Sequence, residues 1–376
     1  MGHESSHPVP TPGPVPLFMV GHTGQVGRAL LNLLDGTGPA KVAQGNWEIV
    51  ALANRSEVLW PKTSPWPEKR VSGDWPKLIA RFRQHPGSKL FIDCSADGQV
   101  VEQYPALLKH GISIITPNKL AFSASQSFYT SLQALAREHQ AGLYYETTVG
   151  ASLPVLSSVR DLLTTGDRIA RVEACLSGTW SYVLGRIHSG IPFSEAVREA
   201  QALGYAEPDP ATDLEGTDVR RKLLILLREA GFICEPGEIT GHNPMPRLRP
   251  PHTAPGSWVR DLPSSDPLWS RRVARAVSRG QRLVFRAGFD GQHARVELVP
   301  VPRGSALANL VPGENRICFW TGRYAKVPLS IAGPGAGPGL TAAGVLLDLF
   351  KAASIRTGTD PRVSTPPAEA GMTDGR

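Results

Sequence analysis

Several things are missing from this 376-residue chain, and each absence removes a class of protein. No run of about 18 apolar residues occurs, so no membrane-spanning helix is expected. The opening stretch, MGHESSHPVPTPGPVP, has no apolar core of the kind a secretory signal needs, which makes the cytoplasm the expected compartment. Cysteine is scarce. Cys94, Cys175, Cys234 and Cys318 stand far apart without CxxC or CxxH spacing, which argues against a disulfide framework or a cysteine zinc site. No segment repeats. The net charge of +7 is spread along the chain, and the Arg-rich stretch from Arg271 to Arg282 has no interleaved aromatics. Nucleic acid is therefore not an expected partner, whereas an anionic cofactor or substrate suits the same sign.

What is present describes an ordinary globular chain with ample core, of a length that suits two domains. Residues 1–15 and 357–376 are rich in Pro, Gly and polar residues and read as disordered tails. Between residues 16 and 150, short apolar runs (LFMV, EIVALA, LFID, SIIT, LYYE) alternate with amphipathic stretches of helical period. That alternation predicts βαβ units and a parallel sheet. The segment after EIVALA is rich in Trp and Pro and reads as a connection, and QVVEQYPALLKHG reads as one helix. From about 151 to 332 the pattern changes. A helix at 152–163 precedes the strand IARVEACLS, helices at 179–189, 193–203 and about 215–230, and strands at 282–288, 294–300 and 316–320. Residues 236–268 read as an irregular connection. A glycine-rich GPGAGPG and a final helix, LTAAGVLLDLFKAA, occupy 333–356. The fold class is α/β: a Rossmann-type parallel-sheet domain (16–150), an α+β domain (151–332), and a C-terminal segment (333–356).

Two stretches carry chemistry. GHTGQVG places Gly21, Gly24 and Gly27 between the first strand and a helix. Glycine there permits a tight turn and close approach of a pyrophosphate, which the helix N-terminus favours. The end of the second strand, Ala53-Asn54-Arg55-Ser56, lacks the acid that NAD-specific sites present to the ribose, and Arg55 can pair with a 2′-phosphate. NADP(H) is thus favoured, with NAD(H) possible. The second stretch, GYAEPDPATDLEGTDVRRK (204–222), sets five carboxylates before one lysine. Asp218 and Lys222 are four apart and share a helix face, while Glu207 and Asp213 come from the preceding loop. Carboxylates suit an ammonium, and a lysine can give a proton to a carbonyl oxygen. Taken alone, the run is equally a solvated acidic loop with a helical ion pair.

TPNKLAF (116–122), YETTVGASLPV (145–155), LSGTWSYVLG (176–185), the acidic block (204–226) and AGPGAGPGLTAAGVLLDL (332–349) resemble, in order, the homoserine dehydrogenase family. The likeness is to the form with only the dehydrogenase module, without an aspartokinase. It implies a reversible NAD(P)-dependent interconversion of L-homoserine and L-aspartate 4-semialdehyde, on the route to threonine and methionine, by a homodimer formed through a catalytic and dimerisation domain at 151–332, with the C-terminal helix returning to the first domain. It further implies that Glu207, Asp213, Tyr205 and Thr179 contact substrate, and that Asp218 and Lys222 act at the reacting hydroxyl with Lys222 as proton donor. Lys119 becomes a second candidate for polarising the carbonyl oxygen, reaching the nicotinamide as well. Gln25, Val26, Asn54, Ser95, Thr116, Gly204 and Gly337 join Gly21, Gly24, Gly27 and Arg55 at the cofactor. Finally, backbone carbonyls of Glu146, Val149, Ala151 and Leu153 would wrap a monovalent cation, Na+.

The chain departs from that pattern in places. Aligned from its last glycine, the usual first glycine of the turn falls on His22, with Gly21 one place early. Ala211, Thr212 and Arg220 replace residues common in relatives. An aspartate-semialdehyde dehydrogenase would need an activated cysteine, for which no motif exists. A non-catalytic NADP-binding relative would keep Gly24 and Gly27 but would have no use for the acidic set.

Overall fold

The computed structural model describes residues 13–35, 46–61, 64–69, 74–206, 209–241 and 257–357, and two sheets organise them. The first holds β1 (Val15–Val20), β2 (Trp47–Ala53), β3 (Glu57–Trp60), β4 (Ser64–Lys69), β5 (Leu90–Asp93), β6 (Ser113–Ile115) and β7 (Leu143–Tyr144). Its helices are α1 (Gln25–Leu34), α2 (Trp75–Arg83), α3 (Gly98–Val101), α4 (Tyr104–Lys109) and α5 (Gln126–Glu138). Strand order is β4-β3-β2-β1-β5-β6-β7. β1 pairs in parallel with β2 on one side and β5 on the other, so connections leave in opposite directions at its carboxyl end. Open α/β sheets bind ligands at that switch point.

β1 is buried along its whole length because both faces of the sheet are covered. Leu17 and Met19 join Leu30 of α1 on one face, while Phe18 and Val20 join Phe82 and Leu107 on the other. β3 and β4 run antiparallel to their neighbours and extend the sheet where the sequence suggested a connection. Its Pro and Trp content obscured the strand period, yet Trp60 is buried with the Arg81 guanidinium 4.1 Å from its ring centre. The single helix expected over residues 99–111 is two, α3 and α4. Pro105, in the first turn of α4, has no N–H to continue an earlier ladder.

The second sheet, β10-β9-β8-β11-β12, is antiparallel throughout: β8 (Ile169–Cys175), β9 (Gln281–Phe289), β10 (Ala294–Pro302), β11 (Glu314–Thr321) and β12 (Leu329–Pro334). Around it lie α6 (Val155–Thr164), α7 (Gly178–His188), α8 (Phe193–Ala202), α9 (Ala211–Leu214), α10 (Thr217–Glu229) and α11 (Asp266–Val277). Val172, Ala174, Ile317 and Phe319 pack in one core with Leu223 and Leu226 of α10. Of the connection at 236–268, the described part contains 3-10 turns at Pro236–Glu238 and Ser257–Ser265. Residues 242–256, 1–12 and 358–376 lie outside the described residues; Val15 and Thr357, expected in the disordered tails, instead begin β1 and end α12.

The chain then comes back. α12 (Pro338–Thr357) sets Ala342, Val345, Leu346 and Leu349 in one core with Leu17 and Leu90 of the first sheet and Leu30 of α1, and Phe350 meets Trp47 edge-on at 4.9 Å. The return of the last helix to the nucleotide-binding half is as the sequence led one to expect.

Candidate active site

At the carboxyl end of β1, Gly21 has φ +81, and a Cβ there would lie 2.7 Å from the backbone of Cys94. A Cβ on Gly27 would run into the Gly21 carbonyl oxygen, so α1 crosses tightly over the turn. Gly24 is the N-cap of α1 and carries no capping side chain, which leaves first-turn N–H groups, at Gln25 and Val26 among others, for a ligand. Gly21 therefore fills the close-approach position despite standing one place early. His22 braces the turn, its Nδ1 lying 3.0 Å from the Ala53 carbonyl oxygen.

A cleft of about 440 Å³ opens here, lined by Gly21, Gly24, Asn54, Arg55 and Ser95 among others. Asn54 Oδ1 accepts the N–H groups of Ser56 and Glu57 at 2.8 and 2.9 Å, which shapes the loop and leaves Arg55 exposed. Thr116 is buried. Its hydroxyl donates to the Asp93 carbonyl at 2.8 Å and accepts from the Asn118 N–H at 2.8 Å, so its side chain serves the loop behind the cleft. Gly204 and Gly337, at φ +75 and +124, have nothing within 4 Å of a would-be Cβ. The Gly337 carbonyl accepts both the N–H and the hydroxyl of Thr341 at 2.9 Å, opening α12. The tight glycines, the uncapped helix end and the exposed arginine fit a dinucleotide phosphate.

The acidic stretch forms its own local structure. Gly216 at φ +74 starts α10, and a Cβ there would lie 2.6 Å from the Phe285 ring. That start puts Asp218 one turn before Lys222. Lys222 Nζ lies 2.7 Å from Asp218 Oδ2 and donates to the Leu176 carbonyl at 2.8 Å. Lys119 Nζ approaches the other oxygen, Oδ1, at 3.3 Å. Lys222 is buried, whereas Asp218 keeps 44% of its side chain open. Desolvation pushes the Asp218 carboxyl up, but the two ammonium groups outweigh it and hold it well below the usual carboxylate range. One carboxylate thus stays ionised between two lysine side chains.

Thr179 Oγ1 donates to the Tyr205 carbonyl at 2.6 Å, and the Tyr205 ring stacks on Tyr182 at 4.7 Å. Asp213 is half-buried on α9, a short helix not foreseen within the run. Glu207 lies outside the described residues. Two partners were missed. The Leu176 carbonyl gave no signal, being main chain 46 residues away. Asp93 did give one, as an acid closing the apolar strand LFID.

Glu146 to Leu153 turn sharply, with Gly150 at φ +82 and Ala151 at φ +53. The Glu146 carboxylate accepts the N–H groups of Leu156 and Ser157 at 2.7 and 2.8 Å, capping α6. Among the described residues there is no group of three or more His, Cys, Asp or Glu side chains able to hold a metal.

The chain therefore carries both a nucleotide-binding cleft at a sheet switch point and a lysine–aspartate–lysine centre. The family model "Homoserine dehydrogenase" matches residues 154–350, and "Homoserine dehydrogenase, NAD binding domain" matches 23–146. A homoserine dehydrogenase of Paracoccidioides brasiliensis is 36% identical over 321 residues, 82% of this chain and 84% of that one. A chloroplastic bifunctional aspartokinase/homoserine dehydrogenase of Zea mays is 36% identical over 347 residues, 88% of this chain but only 38% of the maize protein. Among solved structures, a Candida auris protein of unknown function superposes with a TM-score of 0.81 at 29% identity, over 91% of this chain and 99% of that chain. The chain belongs to the homoserine dehydrogenase family.

Proposed function

We propose that the protein interconverts L-aspartate 4-semialdehyde and L-homoserine, with NADP(H) favoured over NAD(H). The observation that carries this reading is Lys222 Nζ held between Asp218 and the Leu176 carbonyl, with Lys119 on the second Asp218 oxygen. A nicotinamide held in the cleft at Gly21 and Gly24 would supply the hydride chemistry at the carbinol carbon. The protein's part is to manage charge at the oxygen. In the reductive direction an alkoxide develops there, and the Lys222 ammonium gives it a proton while Lys119 stabilises it. Asp218 keeps both ammonium groups in place. Asp213 and Glu207 are the groups for the substrate ammonium. Arg55, exposed on the cleft wall, supports NADP(H) through a 2′-phosphate contact. The test supplies L-homoserine with NADP or NAD separately and follows reduced nicotinamide. Turnover with neither, from protein that binds the cofactor, would sink the assignment.

The turn at Glu146–Leu153 suits a sodium ion, held by the main-chain oxygens of Glu146, Val149, Ala151 and Leu153. Consecutive left-handed residues at 150 and 151 support it, since they reorient successive carbonyls, and oxygen ligands fit a hard cation. Its work would be structural, bracing a turn against which Gly344 of α12 packs closely. A melting temperature rising with NaCl but not with tetramethylammonium chloride checks this. A homodimer through the second sheet accords with β12, an edge strand whose residues alternate between half-buried and exposed. Light scattering giving the mass of one chain would exclude it.

A further inference from the structure

Behind the cofactor cleft, one carboxylate joins two parts of the site that are far apart in sequence. Asp93 ends β5 fully buried. Its Oδ1 accepts from the Ser95 N–H at 2.8 Å and the Ser95 hydroxyl at 2.6 Å. Its Oδ2 accepts from the Tyr104 hydroxyl at 2.7 Å and from Asn118 Nδ2 at 3.1 Å. All four partners are placed to donate to it, and these bonds oppose the burial that pushes its pKa up.

The two oxygens lead in different directions. Ser95 lies on the cleft wall. Asn118 directly precedes Lys119, and its own backbone is fixed: its N–H donates to Thr116 Oγ1 at 2.8 Å, and its Oδ1 accepts from the Leu120 N–H at 3.1 Å. Lys119 leaves this braced segment and reaches Asp218.

We propose that Asp93 is a positioning residue for the reaction: one oxygen fixes Ser95 at the cofactor, and the other, through Asn118, sets Lys119 against Asp218. The proposal rests on the dehydrogenase reading above. An asparagine at 93 must turn an NH₂ toward one of these pairs, where the hydroxyl can turn to accept but the Ser95 N–H or the Asn118 NH₂ is left facing a donor. Losing one arm should then affect one property and not the other, which general loss of packing would not do.

The experiment uses the full chain and two readouts: NADPH affinity by fluorescence titration without substrate, and homoserine turnover at saturating cofactor. Ser95→Ala should weaken NADPH about five-fold, the loss of roughly one hydrogen bond. Asn118→Ala should lower kcat about ten-fold, with the NADPH Kd within about two-fold of wild type. Asp93→Asn should do both. A folded Asp93→Asn protein with both quantities within two-fold of wild type overturns the proposal, as does an Asn118→Ala protein with unchanged kcat. If Asp93→Asn fails to fold, the two single-arm variants decide alone. If the wild type binds NADPH but does not oxidise homoserine, the reaction reading fails instead, and the NADPH affinities of Asp93→Asn and Ser95→Ala still decide the role of Asp93.

Discussion

Lys222 begins a run of seven buried residues, Lys222 to Arg228, where an unpaired ammonium would be costly. It is tolerated because Asp218 and the Leu176 carbonyl meet it. Lys222→Ala should abolish turnover while leaving NADPH binding within a few-fold, because the cleft at Gly21 does not depend on it. Asp218→Asn leaves two ammonium groups without their shared counter-charge, and kcat should fall on the order of 100-fold. Steady-state rates beside NADPH titrations of the two variants check this, and retention of most activity in Lys222→Ala would remove it as proton donor. The spacing of Asp218 and Lys222 was legible in the sequence because a helix face repeats every four residues. Lys119 was legible only as the end of a strand, and nothing local announces a contact between residues 119 and 218. Thr116 was expected at the cofactor because it ends the run SIIT; it follows β6, and its buried hydroxyl is bonded to the Asp93 carbonyl and the Asn118 N–H.

At the scale of elements, strand and helix periods gave the βαβ order and most of the second sheet. They failed where composition hides period, as in the Pro-rich β4, or where an element is too short to show one, as in α9. One contact between elements sets a pH dependence. His188, the last residue of α7, accepts the Leu283 N–H of β9 through Nε2 at 2.9 Å, which requires a neutral ring nitrogen there. Burial, with the nearby Arg282 charge, pushes its pKa down to about 4 from the ordinary 6.5. The unfolded chain therefore takes up this proton first as pH falls. Stability from His188 is complete above about pH 6.5 and is lost progressively down to about pH 4. Melting temperatures of the wild type should drop across that window. His188→Gln, whose amide oxygen can still accept the Leu283 N–H, should show a shallower drop, and equal slopes would exclude the linkage.

Over the whole molecule, the two sheets are joined by more than sequence. Arg228 of α10 donates to the Phe122 carbonyl beside the first sheet at 2.9 Å, and Asp348 of α12 accepts the Glu146 N–H at 3.2 Å. Leu349 is fully buried where α12 covers the first sheet, so Leu349→Ala should cost about 2–5 kcal/mol. Denaturant unfolding checks the value, and a loss under about 1 kcal/mol would mean that α12 packs only loosely. Because α12 lies against α1, saturating NADPH should recover part of that loss by mass action. The same arrangement bears on synthesis. Val15, Leu17, Met19 and Leu30 leave the ribosome early, yet the residues that cover them, Ala342 to Ala352, are added hundreds of residues later. Domains usually fold in the order in which they are made. Here the first-sheet half must wait, one apolar face open, until α12 has been made.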